Sequence, residues 1–170
     1  MVAKEQHSHN SSLRENIIEH QFIGAALKVL WNAGIVDAEI LRSEFDGYGY
    51  DLVLSKGQIV RHIQLKSGLT LKKISVSNML ARRPSGCAIF IEISDNLDME
   101  RYWFFGANEP GLPLPALDDF KTTKRTTPKS DGLKPQRQNH RDIPANKFTK
   151  VQSLEHLLGK LLGQEISGHQ

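Results

Sequence analysis

Two strand-like runs, residues 50–54 and 58–66, are separated by little more than Ser55-Lys56-Gly57. A connection that short can only join antiparallel neighbours, because a parallel partner needs a crossover of a dozen or more residues. With the turn near Lys56, the start of the first run must lie opposite the end of the second. Asp51 stands at that start, and Gln64 and Lys66 stand at that end. Side chains alternate along a strand, so His62, Gln64 and Lys66 share one face while Ile63 and Leu65 take the other. The hairpin therefore gathers an acid, an amide and an amine at one end of a sheet.

The flanking segments read as a mixed α/β chain. Residues 13–32 predict a helix, capped by Ser11 or Ser12 and ended by Asn32-Ala33-Gly34. Ile18, Phe22, Ala25 and Val29 recur at helical spacing, widened by Ile23, Ala26 and Leu30. Glu15 and Glu19 fall within the same arc, where a carboxylate needs a compensating lysine, other cation or metal. Glu15, near the helix start, can reach solvent and favour the helix dipole. A first strand is expected over 38–44 and a glycine turn at Asp46-Gly47-Tyr48-Gly49. No helix follows these glycines, so they do not make a phosphate-binding loop. A second helix is expected over 70–83, a buried fourth strand over 87–94 and a fifth strand over 102–105. Residues 107–150 hold Pro110, Pro113, Pro115, Pro128, Pro135 and Pro144 and read as a long loop; 151–163 closes as an amphipathic helix, followed by a tail at 164–170. Residues 1–12 read as a disordered leader whose His7 and His9 are inert. A three-strand meander feeding a helical crossover implies one mixed sheet flanked by helices.

Charge is distributed unevenly. The 170-residue chain carries +3 overall, yet residues 121–150 hold nine Lys/Arg against Asp131 and Asp142, leaving the remainder net negative by four. A basic limb on a mildly acidic body suits a polyanion such as nucleic acid, or else is a solvated tail. The single Cys87 forms no internal disulfide, which fits a reducing, cytoplasmic setting, and its apolar surroundings suit a buried structural thiol. No apolar run reaches the length of a membrane span, so no membrane partner is expected.

The hairpin constellation suits phosphodiester hydrolysis. Mg2+ is commonly held by one or two carboxylates together with waters and substrate phosphate. It polarises the phosphate and lowers the pKa of a bound water. A lysine beside it can orient that water or stabilise developing charge, and Gln64 can offer a neutral oxygen.

Glu19 on a first helix, then Gly49-Tyr50-Asp51-Leu52-Val53, then Ile63-Gln64-Leu65-Lys66-Ser67 resembles the PD-(D/E)XK nuclease superfamily. The likeness is to its Gln-x-Lys branch, which includes Mrr-type restriction endonucleases and relatives of Holliday-junction resolvases. It covers roughly residues 13–105 and implies a restriction-endonuclease-like core over 13–106. The resemblance makes Asp51 the metal-binding aspartate, Gln64 the occupant of the glutamate position, Lys66 the catalytic lysine and Glu19 the first-helix acid. Asp51, Gln64 and Glu19 would hold Mg2+ or Mn2+. The implied activity is endonucleolytic cleavage of DNA, with double-stranded DNA as partner; cutting both strands would suit a homodimer. Tyr50 stands where the superfamily's name has proline, and Gln64 removes a charge, so metal affinity is expected to be lower. The alternative is a module of the same fold with weak or no cleavage that binds nucleic acid or protein.

Further candidates flank this set. Lys72, Lys73, Arg82 and Arg83 around the expected second helix could touch phosphates, as could Arg137, His140, Arg141 and Lys147 in the basic limb. Such contacts give affinity without sequence choice. His62 is a candidate proton carrier or a structural histidine, and Trp103, Phe104 and Phe105 read as core.

Overall fold

The structure, a computed structural model, describes residues 4–45, 47–128, 130 and 132–167. Asp46 of the expected glycine turn, Lys129 and Asp131 of the basic limb, and the extreme ends of the leader and tail lie outside the described residues.

The chain is a mixed α/β protein. A six-stranded sheet has the order β1-β2-β3-β5-β6-β9, formed by Ala38–Arg42, Leu52–Lys56, Ile59–Gly68, Gly86–Ile93, Met99–Gly106 and Thr149–Val151. β2 and β3 make the expected hairpin, with Lys56 paired to Ile59 across Gly57, which takes φ 58°. β3 and β5 are parallel; the other pairs in this sheet are antiparallel. The apolar run of β5 is buried on both sides, as its lack of alternation suggests. Cys87, Ile89, Ile91 and Ile93 join one core; Ala88 and Phe90 join a second.

The first core lies between this sheet and two helices. α2 (Ser11–Asn32) contributes Ile18, Phe22, Ala26 and Leu30, all buried. Each fully buried apolar side chain larger than alanine contributes about 1.5–3 kcal/mol. α2 ends as expected, with Gly34 at φ 72°. α4 (Leu154–Leu162) adds five leucines, is capped by Ser153 accepting from the His156 N–H, and ends at Gly163 with φ 65°. Arg61 on β3 is fully buried beneath α4, donating to the carbonyls of Leu161, Lys160 and Ala107 at 3.0, 3.2 and 3.4 Å. A cation there meets the negative end of the helix dipole. Burial pushes the Cys87 thiol up to about 12, with nearby Arg61 opposing the shift, as befits an inert structural thiol.

Three expectations are corrected. The helix expected over 70–83 is instead strand β4 (Lys73–Ser77) and one short helical turn, α3 (Asn78–Ala81). Ile74 and Val76 are buried alternately with their neighbours, and β-branched residues fit that pleat. The loop expected over 107–150 contains β7 (Thr122–Lys124) and β8 (Gln136–Pro144), a 3-10 turn (Ala145–Lys147) and β9. β4, β8 and β7 form a second, antiparallel sheet. Pro135 precedes β8 and Pro144 is its last residue, positions where the lost N–H donor does little harm. Residues 4–9 of the expected leader form helix α1 (Lys4–His9). Its His7 is buried with Nε2 3.2 Å from the Asp95 carbonyl, and Arg14 donates to the His7 carbonyl at 2.9 Å.

The second sheet and α3 cover the other face of the first. Ile74, Val76, Leu80 and Ile143 pack there with Ala88, Phe90 and Phe105. The layers are thus helices, six-stranded sheet, three-stranded sheet.

Candidate functional site

At the end of the hairpin, Glu15, Ile18 and Glu19 of α2 face Asp51, Leu65, Lys66 and Ser67 across a cleft of about 40 Å³. That is room for an ion or one to two waters, not for a substrate. The register explains the meeting. Leu52 pairs with Ile63, the Asp51 N–H donates to the Ile63 carbonyl at 2.8 Å, and the chain then leaves the ladder. The next N–H along β3 on that side belongs to Leu65, and the Asp51 carboxylate takes it at 2.7 Å. Asp51 is held beside the Gln-x-Lys backbone by this bond.

The turn before Asp51 needs glycine. Gly49 has φ 78°, and a Cβ there would stand 2.6 Å from the Ser77 Cβ, so the chain passes against α3's capping residue.

Glu19 lies on the cleft, and the compensating cation is Arg42 of β1, whose Nε donates to it. Arg42 also donates to Asn16 Oδ1 at 3.1 Å, which clamps α2 to the edge strand. Ser67 contributes a buried hydroxyl without a hydrogen-bond partner among the described residues.

Gln64 does not join this group. It is 7% exposed, and its Nε2 donates to the Ser75 carbonyl of β4 at 3.2 Å. Its Oε1 is buried with no partner among the described residues. Gln64 faces the second sheet and ties it to β3, whereas Lys66, of the same strand parity, borders the cleft nearer the end of the strand. Asp51, Lys66, Glu19 and Glu15 thus line the cleft, and Gln64 does not.

His62 is on the same face as Gln64. Its ring meets Tyr50 edge-on at 4.8 Å, and its Nδ1 is buried without a partner among the described residues. Burial lowers its pKa below the usual histidine range, and the Arg83 guanidinium lowers it further. Arg83 stacks over Tyr48 and Tyr50 at 4.9 and 5.3 Å, which gives it a packing role rather than a free phosphate contact.

The other basic candidates are scattered. Lys72, Arg82 and Lys147 are exposed and line no part of the cleft. Arg137 is exposed on β8, 3.0 Å from His140 Nε2. Arg141 donates to the Gln138 and His140 carbonyls at 2.7 and 3.1 Å, fastening a bulge of β8. Arg42 and Ser75 lie outside the sequence motifs, and Ser67 closes the Gln-x-Lys motif without a role that the sequence assigns. Arg61 carried a signal, since it shares strand parity with the core residues Ile63 and Leu65.

Among the described residues no group of three or more His, Cys, Asp or Glu is placed to hold a metal by itself. Mg2+ needs fewer protein ligands, commonly one or two carboxylates completed by water and substrate, and the carboxylate residues lining the cleft are Asp51, Glu19 and Glu15. No family model and no curated protein matches the chain.

Proposed function

We propose that the chain is a metal-dependent nuclease of restriction-endonuclease-like fold acting on DNA, with its chemistry at the cleft of Asp51, Lys66 and Glu19. The observation that carries this reading is the meeting of a strand-end aspartate, a strand-end lysine and a helix glutamate in one ion-sized hollow. Asp51 and Glu19 would hold Mg2+ or Mn2+. When bound, such an ion supplies Lewis-acid polarisation of a phosphate and a water of lowered pKa.

The protein's own groups have separate tasks. Lys66 offers a positive charge to a phosphate oxygen in the crowded transition state, or a hydrogen bond to the attacking water. Asp51, anchored by the Leu65 N–H, keeps its place without reorganisation. Arg42 holds Glu19 against the hollow and balances its charge. Ser67 can donate a hydrogen bond to water or phosphate. Gln64 acts through position, fixing β3 against β4.

The test uses supercoiled plasmid with Mg2+ or Mn2+. The wild-type protein nicks or linearises it, chelator stops the reaction, and Asp51→Asn and Lys66→Met each lower the rate at least about a hundredfold. Cutting at the wild-type rate by both variants refutes the assignment.

A second reading is favoured by one observation: Gln64 is turned away from the cleft and engaged with Ser75. A fold that keeps Asp51 and Lys66 but lacks the third ligand can bind nucleic acid without cutting it. Duplex binding that ignores chelator, with no cleavage under any divalent ion, identifies that case.

A further inference from the structure

The solvent side of the three-stranded sheet carries two adjoining grooves of about 590 and 410 Å³, which share Lys124. Lys121, Lys124, Arg125 and Arg137 line them and are exposed. These four make no ion pair among the described residues. Asp142 lines one groove, but Lys73 and the Thr123 hydroxyl already engage it. The floor is hydroxyl-rich: Ser75 Oγ lies 3.0 Å from Thr123 Oγ1, with Thr126 and Thr127 beside them. The surface is thus a cationic trough with hydroxyl donors and little competing negative charge.

From this we infer that the outer face of β4-β8-β7 is the surface that grips the phosphate backbone of duplex nucleic acid. Lys and Arg neutralise phosphates and release their counterions, while hydroxyls add uncharged hydrogen bonds. Among the described residues no aromatic ring lines either groove, so the trough offers nothing for unstacked bases. That selects a stacked duplex over a single strand. Ser75 belongs both to the trough and to the Gln64 hydrogen bond, so the gripping sheet is fastened to the strand bearing Lys66. The inference rests on the nucleic-acid part of the proposed function and is independent of cleavage.

The experiment is fluorescence polarisation with a labelled duplex of about 30 bp, in chelator, over roughly 50–200 mM KCl. Lys124→Ala with Arg125→Ala is expected to weaken binding about tenfold and to flatten the log–log salt slope by about 2. Lys28→Ala with Lys150→Ala, exposed cations outside the grooves, leaves the slope as in wild type. The swap Lys124→Arg with Arg125→Lys retains wild-type binding, which shows that charge and not local folding is read. Equal slope changes in the groove and control pairs, no change in the groove pair, or tighter binding of the single strand each overturn the inference. Because no divalent ion is present, a protein that binds this way but never cuts refutes only the nuclease reading. One that cuts while the groove pair binds normally refutes only this surface.

Discussion

Replacing Asp51 separates its structural task from its chemical one. In Asp51→Ala the Leu65 N–H loses a charged acceptor held at 2.7 Å, a bond contributing about 1.5–3 kcal/mol. For a chain of this size each kcal/mol moves Tm by about 2–4 °C, so the alanine variant should melt about 3–12 °C lower. Asp51→Asn keeps a neutral oxygen for the same N–H, and roughly half that loss is expected. The asparagine cannot hold a divalent cation as a carboxylate does, so its cutting should still fall at least about a hundredfold, equivalent to about 2.7 kcal/mol of barrier. A third readout needs no turnover. Mg2+ at ten times its dissociation constant stabilises the wild-type fold by about 1.4 kcal/mol, a rise of about 3–6 °C. Thermal melts with and without Mg2+, run beside plasmid cleavage, give all three quantities. An asparagine variant that melts near wild type, keeps the Mg2+ increment and cuts at full rate would leave Asp51 a ladder cap and nothing more.

Three further perturbations test neighbouring parts of the argument. Gln64→Glu sets a carboxylate against the Ser75 carbonyl in a buried position, so it should cost roughly 1–3 kcal/mol in urea melts and bring no gain in Mg2+ affinity; tighter Mg2+ binding by calorimetry would return Gln64 to the ligand set. Arg61→Met keeps contact with Phe104 but abandons three carbonyls at the end of α4 and beyond, and should lower stability by about 3 kcal/mol or more; a loss under about 1 kcal/mol contradicts its anchoring role. His62 has a folded pKa below its unfolded value of about 6.5, so its contribution is full above that pH and is lost as the solution is acidified toward the lower folded pKa. His62→Gln should therefore flatten the fall in stability between about pH 7 and 5.5, and identical slopes in variant and wild type would contradict the burial argument.

Local pattern determined a good deal of this protein. The short turn after Lys56 forces an antiparallel hairpin, and that alone brings Asp51 beside the Gln64–Lys66 segment. The 3.6-residue stripe of α2 and the unbroken apolar run of β5 identify a helix against a sheet with two buried faces. These features depend on neighbours a few residues apart. Tertiary structure decided the rest, because the partners are remote in sequence. Ile74 and Val76 become a strand only through pairing with Ile143 and Arg141, nearly seventy residues later. The prolines of the basic limb look like loop markers until Pro135 is seen to stand just before β8 and Pro144 to end it. That Gln64 engages a second sheet depends on Ser75 of β4, and that Glu19 has a side-chain cation beside it depends on Arg42 of β1. A hydrogen bond or ion pair is specified by where two groups are brought, and only the packed layers bring these together.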